Sequence, residues 1–480
     1  MNRAMKRLYC SGLLSLFVFS LLATDQAILT GQLNELNIKE VTLETTATIA
    51  TDEPLRTVVK VDADHTFKLT LDIPPSHQFQ LKIGVLTLPL YLEGGDSLVV
   101  ALESINGQLV VKYRGEGSSN NSFLFQYSIF EKKIDYTELE AALQSKDGQA
   151  YWDAVNKLNK MKEGFFEQYA ERSKKSFSVG FKRFIDNQIK YKLVDELLAF
   201  HVYYRVMINL EEVKIPTQYS TYLSTVEFDD EEAVESKYYQ SAILNWINFK
   251  NSSAYNPYIE DQLKRLADNY KIADEQLKGN TQYYTKYTLL KELLKADYVY
   301  AAYEYEDFLK SQAPQFLKTP LIQLHQIKSM KLDDLPMPNL KLLDQQGNSR
   351  SLSDFKGKIQ YLCLWKNDSN TEVELSSYFR LFGKKVTQDS LVKFQLIYTA
   401  KSPTIWSQIL KKQQRNLDYI NHYRLDLSDE LTRNFVLRTD DYGPLFILVN
   451  KEGVVVRDNA SMSYEFNPNN KIRKLLKGEK

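Results

Sequence analysis

Sulfur is nearly missing from this chain. Among 480 residues there are two cysteines, Cys10 and Cys363, which excludes a disulfide framework and any site built on a cysteine cluster. Histidine is scarce as well. His65, His77, His201, His325 and His422 include no pair at ligand spacing and no H-E-x-x-H, so no metal is expected. No cofactor is expected either: Gly94-Gly95-Asp96 lacks the helix and lysine of a phosphate-binding loop. Neither sign of charge is in excess, with 61 Lys plus Arg against 61 Asp plus Glu, which gives no basis for a nucleic-acid partner. No stretch beyond residue 23 reaches 18 apolar residues, so no later segment is expected to span a membrane.

The N-terminus supplies a different signal. Arg3, Lys6 and Arg7 precede a largely apolar run from Leu13 to Ala23. Its length suits the apolar stretch of a secretory signal peptide and is short for a spanning helix. Residues 1–24 are therefore expected to be a signal peptide, with the protein exported to the periplasm or cell envelope. Left uncleaved, this segment would be the only membrane contact. Cys10 lies before the apolar run, where a lipoprotein cysteine would have to follow it. The mature chain then keeps Cys363 alone.

Three patterns follow one another. Residues 27–116 hold short runs rich in Val, Ile, Thr, Leu and Phe, with period-two alternation in Phe67–Leu71 and Phe79–Ile83. Asn106-Gly107, between Leu98–Leu102 and Leu109–Val111, is a strong hairpin signal. An antiparallel β-sandwich is expected. Gly115–Asn121 reads as a polar linker. Residues 122–316 change to helical spacing. One stripe is Trp152, Val155, Leu158, Met161 and Phe165-Phe166; another is Phe181, Phe184-Ile185, Ile189, Leu193 and Leu197-Leu198. Thr137 is the expected cap of a helix beginning nearby. Pro314 to Pro338 marks a boundary with a short helix from Pro320 to Met330, then an extended approach.

The third part, residues 337–480, reads as an α/β domain. Lys358–Trp365 is expected to be a buried strand with an exposed tip, Asp368–Phe382 a helix, Val392–Tyr398 a second central strand and Ile405–Gln414 a helix. Pro444–Val449 and Val454–Arg457 form a hairpin around Asn450–Gly453, and a helix closes the chain from Ile472. The fold class is thus multidomain: a sandwich, an all-helical region and an α/β domain.

Several segments of the last part occur in a telling order: Pro338-Asn339-Leu340, Gly347 with Leu352-Ser353-Asp354-Phe355-Lys356-Gly357-Lys358, Cys363-Leu364-Trp365, Tyr442-Gly443-Pro444 and Asn450-Lys451-Glu452-Gly453. This set resembles the thioredoxin-like domain of the secreted TlpA/ResA disulfide reductases, especially multidomain forms from Bacteroidota. The resemblance implies a Cys-x-x-Cys shortly after Trp365 and a cis-proline loop at Tyr442, Gly443 and Pro444. At the redox register this chain has Ser369-Asn370-Thr371-Glu372, and no cysteine follows Trp365. Ser369 and Glu372 are then vestigial redox positions.

Disulfide exchange needs a thiolate nucleophile, and a serine hydroxyl needs a general base to replace it. Ser369-x-x-Glu372 instead has the spacing of a helix capping box. Cys363, between Leu362 and Leu364, reads as core filling. The expectation is a protein without catalytic residues and without dithiol oxidoreductase activity. It would bind extended polypeptide or an envelope protein in a groove formed by Trp365, Asp368, Glu372, Tyr442 and Pro444. The alternative is an oxidoreductase-related enzyme with residual activity through Cys363, or another, non-dithiol chemistry.

Overall fold

The computed structural model describes residues 26–33, 38–45, 56–72, 77–105, 108–173, 176–202, 216–228, 230–231, 233–251, 262–365, 382, 384–399, 419–436, 438, 444–461 and 466–479. The expected signal peptide, the Asn106-Gly107 turn and the helices expected at 368–382 and 405–414 lie outside the described residues. The chain divides into two compact units: residues 1–227 with 232–246, and residues 228–231 with 247–480. The helical stretch is shared between them. No helix among the described residues is long and apolar enough to cross a membrane.

The first unit begins with β1 (Gln26–Gln32), β2 (Glu40–Thr45), β3 (Arg56–Lys60), β4 (Thr66–Asp72), β5 (His77–Ile83), β6 (Leu86–Leu92), β7 (Ser97–Ile105) and β8 (Gln108–Gly115). They form two four-stranded sheets, β4-β1-β7-β8 and β3-β2-β5-β6. One apolar core lies between them, with Leu29, Leu81, Leu90 and Val100 fully buried. This is the expected sandwich, with one correction. β1 pairs parallel to β7, so the first sheet is mixed. Alternation identifies a buried face but carries no information on strand direction. β6 carries Pro89 in its middle. The structure puts β6 at a sheet edge, where a missing N–H breaks no ladder.

Helices α1 (Ser118–Glu131), α2 (Thr137–Ser145), α3 (Gly148–Ser173), α4 (Val179–Val202) and α5 (Thr217–Ser224) follow, and α6 (Lys237–Asn251) runs across the boundary between the units. Residues 118–121, expected as linker, are instead the first turn of α1, and Asn120 and Asn121 are buried. The α4 stripe faces inward as expected: Phe181, Ile185, Ile189, Leu193, Leu197 and Leu198 are all buried. The α3 stripe does so in part: Val155 and Leu158 are buried, whereas Met161 is 43% exposed and Lys162 beside it is 2% exposed. Thr137 does not cap α2. Its N–H and hydroxyl both donate to Asp135 Oδ1, at 2.9 and 2.6 Å.

The second unit contains α7 (Gln262–Gln276), α8 (Gly279–Ala296), α9 (Ala302–Lys310) and α10 (Gln315–Ser329). α10 starts five residues before the expected Pro320, which lies inside it. A proline there forgoes one intrahelical bond; Leu317, Leu321 and Leu324, buried on one face, hold the helix regardless.

The last part is a seven-stranded mixed sheet. Its strands are β9 (Lys341–Leu343), β10 (Ser349–Ser351), β11 (Ile359–Trp365), β12 (Val392–Tyr398), β13 (Ile420–Leu425), β14 (Leu445–Val449) and β15 (Val455–Asp458). Their order is β10-β9-β13-β12-β11-β14-β15. β11, β12 and β13 are parallel, and β14 is antiparallel to β11. The described helices here are α11 (Lys384–Thr387), α12 (Glu430–Val436) and α13 (Pro468–Leu476). The 333–338 segment begins with a turn, closed by Leu335 N to Leu332 O at 2.9 Å with Asp334 at φ 64°, and only Pro336, Met337 and Pro338 run on without turn or helix. It lies against β15, with Asp334 N to Val455 O at 2.9 Å, Val455 N to Leu335 O at 2.8 Å and Met337 N to Gly453 O at 2.9 Å.

Candidate functional site

β11 is an interior strand of the sheet, between β12 and β14, and all seven of its residues are buried. Successive side chains point to opposite faces. Tyr361, Cys363 and Trp365 join one core with Phe394, Phe446 and Ile472. Leu362 and Leu364 join another with Leu340, Ile397 and Ile447. Cys363 stands opposite Leu396 on β12 and Phe446 on β14. It is a free thiol with no exposed surface, and burial pushes its pKa well up. The thiolate is the attacking and metal-binding form of a cysteine, and burial disfavours it here.

Trp365 ends the strand. The sequence reading made it an exposed tip and a groove wall; the structure leaves it 2% exposed. Its ring packs on Tyr398 with centroids 5.3 Å apart. Its carbonyl accepts from Thr399 N at 3.0 Å and Thr399 Oγ1 at 3.1 Å. The indole Nε1 has no hydrogen-bond partner among the described residues. Trp365 still pairs with Tyr398 on β12, and its side chain joins the core instead of projecting from the tip.

Leu364 pairs with Leu445 across the antiparallel β11–β14 ladder. The next position on each strand is Trp365 and Pro444, so the two lie at the same end of the sheet. Pro444 is half-buried. Asp368, Ser369, Glu372, Tyr442 and Gly443 lie outside the described residues, so of the seven site residues named from sequence only Trp365 and Pro444 have a described position.

The surrounding frame follows from local chemistry. Ser351 N and Oγ both donate to the Asp354 carboxylate at 3.0 Å, closing the Leu352–Phe355 turn. Asn339 Oδ1 accepts Ser353 N at 2.9 Å, tying the entry segment to that turn. Asp354 is held below the usual carboxylate range, chiefly by the Ser351 backbone and hydroxyl bonds. Gly357, at φ 88°, donates to Lys451 O at 2.9 Å. Asn450 Oδ1 accepts Glu452 N and Val454 N, at 3.1 and 2.8 Å, and shapes the β14–β15 turn.

A feature the sequence reading missed lies beside the Pro444 segment. Arg438 and Asp458 form a buried ion pair, with side chains 8% and 11% exposed. Asp458 Oδ2 also accepts Leu332 N at 3.1 Å, and Asp333 Oδ1 accepts Asp458 N at 2.5 Å. Strand β15 is thereby pinned to the entry segment on one side and to the chain ahead of Pro444 on the other. The residues are 126 positions apart at the extreme, so no local pattern announces them. Among the described residues no three His, Cys, Asp or Glu side chains converge as a metal site.

About 31% of the chain is similar to solved structures of proteins described as thiol-disulfide oxidoreductases or their relatives. A putative thiol-disulfide oxidoreductase from Bacteroides vulgatus is 25% identical, covering 31% of this chain and 99% of its own, with a TM-score of 0.26. A domain of a possible thiol-disulfide isomerase from Cytophaga hutchinsonii is 18% identical over 31% of this chain and 97% of its own, TM-score 0.24. A putative thiol:disulfide interchange protein DsbE from Chlorobium tepidum is 14% identical over 31% and 98%, TM-score 0.23. No family model and no curated protein matches the chain. The neighbours cover under a third of the chain at low identity and low TM-score, so the functional reading rests on the residues themselves.

Proposed function

We propose that the protein is a redox-inactive, thioredoxin-like member of the cell envelope that binds extended polypeptide segments of partner proteins. The observation that carries this reading is the position of sulfur. After Cys10, the chain has one cysteine, and its thiol is buried in the central strand with a raised pKa. Two-electron disulfide exchange consumes two thiols, and the sequence offers no second one beyond Trp365. Ser369 and Glu372, at the redox register of the family the domain resembles, cannot carry that exchange.

Binding is proposed for the end of the sheet where β11 and β14 finish. Pro444 supplies surface there, and Tyr442, Asp368 and Glu372 are neighbours in sequence of the two strand ends. Trp365 contributes as the floor of that end and not as a wall. Export rests on the basic, then apolar, N-terminal segment.

The test has two arms. An insulin-reduction assay on the mature chain should give no turnover above buffer, and Cys363→Ser should not change it; turnover lost in Cys363→Ser would establish the enzymatic alternative. Fluorescence anisotropy with a carboxymethylated, permanently unfolded polypeptide should show weak binding that drops in Tyr442→Ala and Pro444→Ala. Unchanged affinity in both variants would remove this surface as the docking site.

A further inference from the structure

Strand β3 is one edge of the sheet β3-β2-β5-β6. The opposite edge, β6, is closed by the Asn121 amide, which bonds Tyr91 N and Tyr91 O at 2.8 Å each. The register of β3 on β2 shows which of its own backbone groups are left over. Glu40 faces Lys60, Thr42 faces Val58 and Glu44 faces Arg56. One step along the same register, Val61 N donates to Lys39 O at 2.9 Å. Hydrogen-bonded and non-hydrogen-bonded pairs alternate in an antiparallel ladder. Thr57 and Val59 therefore make the bonds to β2, while the N–H and C=O groups of Arg56, Val58 and Lys60 point away from it. Among the described residues no group pairs with them.

The side chains of these three residues share a face. Val59 and Val61 pack on the sandwich core, so Arg56, Val58 and Lys60 turn outward, and Val58 is 58% exposed. Arg56 Nε lies 2.8 Å from Glu44 Oε1 and Lys82 Nζ lies 2.7 Å from Glu44 Oε2, so one carboxylate serves two cations. Lys60 is exposed. On this face of β2, β3 and β5 the cations Arg56, Lys60 and Lys82 stand against Glu40 and Glu44.

We propose that β3 takes an extended acidic segment of another protein as an added antiparallel strand, with carboxylates four residues apart opposite Arg56 and Lys60 and an apolar residue opposite Val58. Strand addition draws affinity from free edge groups and selectivity from alternate side chains. Charge selects the occupant. A second copy of β3, laid antiparallel and centred on Val58, would put Arg56 opposite Lys60 at both ends. Like charges directly opposite one another are destabilising, so the edge is guarded against its own copy. The same two cations favour a strand that carries carboxylates at those positions. This edge lies in the first unit, and the proposal does not depend on the surface at Pro444.

The test is fluorescence anisotropy of the full mature chain with a labelled peptide, Thr-Glu-Thr-Val-Thr-Glu-Thr, and with its counterpart carrying lysine in both glutamate positions. The acidic peptide should bind at least about fivefold tighter than the basic one. Lys60→Glu should erase that preference. Val58→Pro should abolish binding yet leave thermal unfolding as in the wild type, because the N–H it removes points away from β2. If Val58→Pro does not fold, Lys60→Glu carries the test alone. Equal affinity for the two peptides, binding of neither, or acidic-peptide binding that survives Val58→Pro overturns the proposal. So does a dimer of the chain that Val58→Pro dissolves in sedimentation, since the occupant would then be a second copy.

Discussion

The side-chain amide of Asn121 pairs with the backbone of Tyr91 on both of its polar groups. Asn121 Oδ1 accepts Tyr91 N and Asn121 Nδ2 donates to Tyr91 O, each at 2.8 Å. An asparagine on the first turn of α1 thus completes the outer edge of β6 as another strand would. Nδ2 also donates to Gly117 O at 2.8 Å, so the same amide fixes the entry to the helix. Both residues are fully buried. The arrangement explains how an edge strand is closed to outside pairing.

Asn121→Ala should therefore destabilise the first unit by about 1–3 kcal/mol, the cost of leaving buried backbone groups unsatisfied. Urea unfolding followed by tyrosine fluorescence measures it. A loss below about 0.5 kcal/mol would mean water replaces the amide without cost.

Gly31 on β1 stands opposite Phe67 on β4, and the phenyl ring lies over the glycine. A Cβ at Gly31 would fall 1.8 Å from Phe67 Cε1, a distance no packing tolerates. Gly31→Ala should cost about 1–3 kcal/mol as an overpacked core. Combining it with Phe67→Leu should recover part of the loss in thermal unfolding. Additive losses would show that the ring is not the obstacle.

Lys286 is the pin of the second unit's helices. Its Nζ, with the side chain 4% exposed, reaches Asp274 Oδ1 at 2.6 Å and Asp307 Oδ2 at 2.9 Å. It also lies 4.6 Å above the Tyr270 ring, and Tyr270 OH donates to Asp307 Oδ2 at 2.8 Å. α7, α8 and α9 meet at this ammonium. Lys286→Met should destabilise this unit by roughly 3 kcal/mol, the usual cost of leaving one side of a buried pair uncompensated, tempered by the partial exposure of both carboxylates.

The same network sets an acid limb. Burial raises the Asp307 pKa, but the bonds from Lys286 and Tyr270 outweigh it and hold the group below 3.8. A carboxyl depressed in the folded state adds stability above its unfolded value, and that stability is lost as pH falls through the folded one. Stability should drop below about pH 4 in the wild type. The drop should be shallower in Asp307→Asn, as read by denaturant midpoints between pH 2.5 and 5.

Cys363 should react with a thiol reagent only as fast as the chain opens. Labelling in native buffer should be slow, and its rate should rise with denaturant in step with unfolding. Rapid labelling without denaturant would put the thiol at the surface and revive a redox role.

The amino-acid sequence establishes where sulfur can be: no cysteine follows Trp365, and no tertiary arrangement supplies one. The change from period-two to helical spacing and the strands near Lys358–Trp365, Val392–Tyr398 and Pro444–Val449 were legible for a similar reason: each is written along one stretch of backbone. What neighbours do to a side chain was not. Asn121 read as linker, Met161 as inward and Trp365 as an exposed tip, yet Asn121 and Trp365 are buried and Met161 is exposed beside a buried Lys162. Periodicity reports how side chains are distributed around one element. Whether a polar one is enclosed depends on the donors and acceptors that distant segments bring to it, and only the folded chain brings them.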